Sequence, residues 1–160
     1  MLENGKPIVI NFDTNEMGRI LMNVKVLKGD LLSHKTVRFK LDTGADYTVI
    51  ARETLKDLGY TDEFLRSCPK DKYPATMADG TKVQLYYIPN VSIMFKEREI
   101  QNCRIYFSLD AKMRTLFGCN ILKFFNYTVN YDSSEILLQE RSTLPKLAEG
   151  EQPIQVYEIG

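Results

Sequence analysis

Asp42-Thr43-Gly44-Ala45 is the segment of this chain best suited to chemistry. It directly follows an alternating strand pattern, so a carboxyl group sits on a tight turn at a strand end, where it can offer acid–base chemistry. Gly44 permits close backbone approach, and Thr43 can donate or accept hydrogen bonds that brace the turn. An ordinary turn is the competing reading, because at average residue usage the tripeptide alone arises by chance in roughly a few per cent of chains this long. The other reactive side chains form no constellation. His34 falls in a polar turn with no nucleophile near it in sequence, and Cys68, Cys103 and Cys119 lack the spacing of zinc ligands.

The elements that must position this turn read as β structure. Ile20-Leu21-Met22-Asn23-Val24-Lys25-Val26 and Val37-Arg38-Phe39-Lys40-Leu41 alternate apolar and polar residues, which predicts two strands with one buried face each, joined by a turn at Gly29-Asp30. After the turn, Tyr47-Thr48-Val49-Ile50 is β-branched and aromatic. Residues 52–58 predict a short helix that ends at Gly59. Ala78-Asp79-Gly80-Thr81 is a hairpin signal, since Asp-Gly readily takes positive φ angles. Strands are predicted over 83–87, 91–95 and 100–107, with Pro89-Asn90 and Lys96-Glu97-Arg98 between them. A second short helix is expected over 120–125, then strands over 127–131 and 135–139 about an Asp132-Ser133-Ser134 turn. Asp13-Thr14-Asn15 lacks a glycine and reads as a turn. The pattern is that of an all-β domain, closed or sandwich-like, with two short helices. Residues 1–140 form the expected domain. Residues 141–160 form a C-terminal linker that ends in a possible extra strand, Ile154-Gln155-Val156-Tyr157.

Composition narrows the function classes. The 160 residues carry 21 Lys plus Arg against 21 Asp plus Glu, so no global field draws nucleic acid or an anionic membrane. No apolar run approaches the length of a bilayer span, and the short Ile8-Val9-Ile10 run does not make a secretory signal. Three cysteines, an odd number with no close pair, fit free thiols in a reducing compartment. The expectation is a cytoplasmic protein that binds neither nucleic acid nor membrane.

Around the turn, Phe39-Lys40-Leu41-Asp42-Thr43-Gly44-Ala45-Asp46-Tyr47-Thr48-Val49-Ile50 resembles the active-site strand and turn of retroviral and retroviral-like aspartic proteases, the retropepsins. Leu116-Phe117-Gly118-Cys119-Asn120-Ile121-Leu122 resembles that family's second signature, two hydrophobic residues and a glycine leading into a helix. Between them, Ala78-Asp79-Gly80 resembles the flap hairpin of bacterial single-domain members. The ordered set spans roughly residues 19–139 and is far more specific than any one piece.

The resemblance implies a retropepsin-like closed β-barrel, the acid-protease fold, that hydrolyses peptide bonds with two aspartates. Only one Asp-Thr-Gly is present, and a two-domain enzyme would need a second motif and roughly twice the length, so the implied active form is a homodimer acting on a peptide or protein substrate. By the same resemblance Asp42, Thr43 and Gly44 are catalytic. Ala45, Asp46, Ala78, Asp79 and Gly80 contact substrate, and Gly118 and Asn120 support the site. No metal or organic cofactor is implied. Cys119 stands where the retroviral pattern has arginine, so the resemblance does not carry over the ion pair that arginine supports between subunits, and how the dimer is held stays open. A retropepsin-fold dimer that binds peptides without cutting them, as scaffold or regulator, is the alternative.

Overall fold

The computed structural model describes residues 5–28 and 34–159, and the Gly29-Asp30 turn expected from the sequence lies outside them. In chain order the elements are β1 (Ile8–Asn11), β2 (Asp13–Thr14), β3 (Ile20–Leu27), β4 (His34–Leu41), α1 (Arg52–Leu58), α2 (Asp62–Ser67), β5 (Ala75–Thr76), β6 (Lys82–Val83), β7 (Tyr86–Phe95), β8 (Arg98–Phe107), β9 (Leu116–Phe117), α3 (Cys119–Leu122), β10 (Phe125–Asn130), β11 (Glu135–Glu140) and β12 (Gln155–Glu158). The largest sheet runs β12-β8-β7-β3-β4-β9. A second sheet runs β1-β11-β10, and β5-β6 form a separate hairpin.

The alternation in β3 and β4 does what it predicts. Met22, Val24, Val26, Val37 and Phe39 are buried, and the residues between them face outward. Tyr47-Thr48-Val49-Ile50 is not a strand of its own. Val49 bridges Tyr106 of β8 on one side and Leu116 of β9 on the other. The bonds are Val49 N–H to Leu116 O at 2.8 Å, Leu116 N–H to Val49 O at 2.9 Å and Tyr106 N–H to Thr48 O at 2.9 Å. This single residue joins the two ends of the β8-β7-β3-β4-β9 run and closes it into a barrel, which removes two exposed edges.

Several local expectations are corrected. Pro89-Asn90 does not separate two strands; β7 continues through them as a bulge, with Ile88 opposite Ile105 and Val91 opposite Cys103, so two residues face Arg104 alone. Proline is tolerated there because the bulge leaves the ladder locally open. The extra residue is taken back where Ser92 faces Gln101-Asn102, with Asn102 at φ 67°. The strand expected over 83–87 is split between β6 and β7. His34 is the first residue of β4 rather than part of a polar turn. Asp13-Thr14 pair with β3. A third helix, α2, is capped at its start by Thr61, whose side chain accepts from Phe64 N–H at 3.0 Å. That cap and the acids of its first turn were legible, but Leu65 is its only buried residue, so no apolar period advertised it.

The core collects around Phe39 and Phe117, both fully buried and meeting edge to face at 5.6 Å. This contact fixes the short parallel pairing of β4 with β9, Lys40 opposite Leu116 and Leu41 opposite Phe117. Asp42 and Gly118 therefore emerge side by side from adjacent strand ends. The C-terminal segment folds back so that β12 pairs antiparallel with β8, Gln155 opposite Gln101 through Glu158 opposite Arg98. Among the described residues no helix is long and apolar enough to cross a membrane.

Candidate active site

The Asp42 turn is held almost entirely by backbone. Asp42 N–H donates to Phe117 O at 3.0 Å and Ala45 N–H to Asp42 O at 3.1 Å. Gly44 N–H donates to the carboxylate oxygen Oδ1 of Asp42 at 3.0 Å, so the turn aims its own acid. Asp42 is half-buried, while Thr43, Gly44 and Asp46 are exposed. The reactive face of the turn thus points out of the chain.

Behind the turn lies α3. A four-residue helix cannot satisfy its first amides internally. Here Cys119 N–H donates to Ala45 O at 2.8 Å and Asn120 N–H to Asp46 O at 3.1 Å, so the Asp42 loop itself caps the helix. Gly118 N–H donates to Oγ1 of the fully buried Thr48 at 3.0 Å. A Cβ at Gly118 would lie 2.3 Å from Tyr47 O and 2.8 Å from Ala45 O. Asn120 spans the gap between loop and barrel: its Oδ1 accepts from Thr48 N–H at 2.6 Å and its Nδ2 donates to Arg104 O at 2.9 Å. Cys119 donates its S–H to Thr43 O at 3.2 Å. Burial pushes this thiol up, and the nearby negative charges of Asp46 and Asp42 push it further.

The hairpin β5-β6 carries Ala78, Asp79 and Gly80 at its tip. Gly80 N–H donates to Met77 O at 2.9 Å and Met77 N–H to Thr81 O at 2.8 Å, a three-residue loop with Gly80 at φ 87°. Only the glycine takes positive φ. Asp79 instead accepts from the backbone and hydroxyl of Thr81, at 2.9 and 2.6 Å, which holds its carboxyl below the usual range. The base of this hairpin meets the Asp42 loop through Tyr47, whose hydroxyl donates to Asp71 Oδ2 at 2.9 Å. Burial, then the bond to Asp71, pushes the Tyr47 phenol well above its ordinary value. Tyr47 also packs beside Val49, Val83, Leu85 and Tyr106 in a second apolar cluster beneath the hairpin.

The family model for the gag-polyprotein putative aspartyl protease matches residues 31–124, well over half of the chain. The chain belongs to that family. A crystal structure of a retropepsin-like aspartic protease from Rickettsia conorii shares the fold at a TM-score of 0.53, with 21% sequence identity, covering 88% of this chain and 98% of that one. No curated protein matches the sequence.

In this aspartyl protease domain the sequence-predicted residues fall into two groups. Asp42, Thr43, Gly44, Ala45, Asp46, Gly118 and Asn120 form one hydrogen-bonded unit. Ala78, Asp79 and Gly80 sit apart on the hairpin tip, exposed, and the bonds that fix them are internal to the hairpin. Sequence reading missed Thr48, Tyr47, Asp71 and Arg104 as parts of the support. Thr48 was readable only as a strand former, and the partners of the other three lie 24 residues away or more, except where Arg104 uses its own carbonyl.

Asn120→Ala removes the side chain that accepts from Thr48 N–H and donates to the barrel at Arg104 O. The substitution strands a buried donor and frees the Arg104 carbonyl, which should cost roughly 2–4 kcal/mol of stability. Urea denaturation of the two proteins at one pH measures it, and a loss below ~0.5 kcal/mol would mean the bridge is dispensable.

Proposed function

We propose that the chain is one subunit of a homodimeric aspartic endopeptidase, with residues 1–140 as catalytic domain and 141–160 as its C-terminal extension. The observation that carries this reading is a single, rigidly held Asp-Thr-Gly turn whose reactive face is open, in a family of aspartyl proteases. Peptide hydrolysis by this chemistry needs two carboxyls, and one chain supplies one. The second Asp42 comes from a second copy across a two-fold axis. Two carboxyls forced together cannot both ionise, so the pair shares one proton; aspartic proteases are the standard example of this coupling. The ionised member takes a proton from a water held between them as it attacks the scissile carbonyl carbon. The protonated member hydrogen-bonds the carbonyl oxygen, and the Asp42 that took the water's proton delivers it to the amide nitrogen as the C–N bond of the tetrahedral adduct breaks. The paired hairpins, with Asp79 and Gly80 at their tips, close over the peptide and exclude water.

β10 is the surface best suited to the second copy. It is an edge strand of its sheet, with one row of backbone groups open to pairing. Tyr127 lies opposite Leu138, and Val129 opposite Ile136, so all four share a face. Leu138 and Ile136 are each 1% exposed, whereas Tyr127 is 39% exposed. An apolar face left uncovered only along its open edge is what antiparallel pairing with another β10 would complete. Three free cysteines, two of them buried, support a reducing cytoplasmic compartment for the enzyme.

The test is cleavage of a diverse peptide library between about pH 4 and 8, with the mass measured in the same buffers over a range of protein concentrations. Cleavage whose rate per chain falls as the dimer dissociates on dilution is expected. A monomer of undiminished activity sinks the two-chain mechanism, and a well-formed dimer that cuts nothing leaves the peptide-binding scaffold.

A further inference from the structure

The carboxylate of Glu151 is the most buried ion-paired side chain in the molecule's described part, 6% exposed, and it belongs to the C-terminal extension rather than to the barrel. Its Oε1 accepts from Lys123 Nζ at 2.7 Å and from Ala148 N–H at 2.7 Å. Lys123 is the C-cap of α3, immediately after its last residue, and its Nζ also donates to Lys146 O at 3.0 Å. A few residues on, Glu149 O accepts from Arg104 Nη2 at 3.0 Å. The Arg104 guanidinium lies 4.1 Å from the centre of the Tyr87 ring, and its backbone carbonyl is the one that Asn120 grips. Pro153 O accepts from Asn102 Nδ2, Ile154 is buried in the core, and β12 then runs along β8.

These contacts surround one small element. α3 has four residues, too few to hold a position by its own hydrogen bonds. Its first turn is gripped by the Asp42 loop, through Ala45 O, Asp46 O and Thr48. Lys123, which caps its C-terminal end, is gripped by the extension through Lys146 O and Glu151. The helix is a spacer clamped between the catalytic turn and the C-terminal segment, and the barrel residue it leans on, Arg104, is clamped by the same segment. A desolvated carboxylate is costly to bury, and its partner amine sits at the end of the spacer, so the pair fixes that end at one place.

We infer that residues 146–158 are a strap that sets the position of α3, and through it of the Asp42 turn, with Glu151 as a positioning residue. This rests on the proposed endopeptidase function. Glu151 touches no reacting atom; it acts through Lys123 and α3. Removing its charge leaves the turn's own bonds intact and loosens the frame that aims it. A misplacement of ~1 Å can cost about a hundredfold in rate, so a partial loosening is expected to cost about tenfold.

The experiment compares the full-length dimeric wild type with Glu151→Gln, Lys123→Met, the double variant and Glu151→Asp, all well below their melting temperatures. Two readouts are taken: kcat and KM on a peptide that the wild type cleaves, and amide hydrogen exchange of residues 42–48 and 118–123. The strap predicts kcat lower by about tenfold with KM changed by less than about twofold, and faster exchange in both segments. It also predicts a double variant no worse than the singles, and recovery in Glu151→Asp. A lowered melting temperature with kcat and exchange at residues 42–48 unchanged overturns it, since that is a stabilising contact and nothing more. If the wild type cleaves no peptide, the endopeptidase reading fails, while the exchange measurement still decides whether the strap holds the turn.

Discussion

Asp42→Asn should lower peptide cleavage by at least about a thousandfold while leaving fold and dimer in place. Asparagine matches aspartate in size, and its Oδ1 can still accept from Gly44 N–H, so the 3.0 Å bond that shapes the turn survives. What is lost is the capacity to take and return a proton, and in a homodimer it is lost from both positions at once. Circular dichroism and sedimentation of the variant, alongside kcat/KM, separate loss of chemistry from loss of structure. A mixing experiment adds a sharper test. If the site is built from two chains, equal amounts of wild-type and variant subunits allowed to exchange should retain about one quarter of the activity, because only wild-type pairs work. Retention of about one half would mean that each chain works alone.

Gly118→Ala is expected to be the most damaging single methyl group that can be added near the site. The new carbon would lie 2.3 Å from Tyr47 O, 2.6 Å from Tyr47 C and 2.8 Å from Ala45 O, all backbone atoms of the Asp42 loop. None can swing aside as a side-chain tip can. The loop is also pinned by Cys119 N–H on Ala45 O and by Thr48 on Gly118 N–H, so relief requires breaking the bonds that aim Asp42. A cost of about 3 kcal/mol or more follows, at the upper end for overpacking, with activity falling alongside. Gly80→Ala makes the contrast. There nothing lies within 4 Å, and the penalty is only that of placing alanine at φ 87°, about 1–2 kcal/mol, at a hairpin tip that supports no other element. Thermal denaturation of both variants ranks them, and equal losses would show that the close approach at Gly118 is not what constrains it.

The same two glycines show how much of the site could be read from sequence. The Asp42 turn was legible because an alternating strand feeds it and because the bonds that shape the turn itself, Gly44 N–H to Asp42 Oδ1 and Ala45 N–H to Asp42 O, lie within three residues, whereas its anchors on Phe117 and Cys119 were not legible. The hairpin tip was legible for the same reason, although Asp79 works by accepting from Thr81 and not by taking positive φ. Gly118 was legible only through resemblance. Its own φ is −114°, which any residue adopts, so nothing in its local chemistry asks for glycine; the demand comes from a loop 71 residues earlier. Pro89 misled because proline ordinarily interrupts a ladder, and only the facing strand shows that a bulge has already opened it.

By itself, then, the sequence determined the periodic and the local: which faces of β3 and β4 are buried, where the helix at 52–58 stops, that the chain turns at Asp79-Gly80 and at Asp132-Ser133-Ser134, and that a single acid stands on a strand-end turn. Tertiary structure decided what depends on partners far apart in sequence. It closed the barrel through Val49, joined Asn120 to Thr48 and to Arg104, tied Tyr47 to Asp71, and brought the C-terminal extension to the end of α3. The physical reason is that residue pattern records burial and backbone preference, which each residue carries with it, whereas a hydrogen bond across the fold records only that two satisfied groups meet. Many residue types could have made those bonds, so the pattern holds no trace of which ones did.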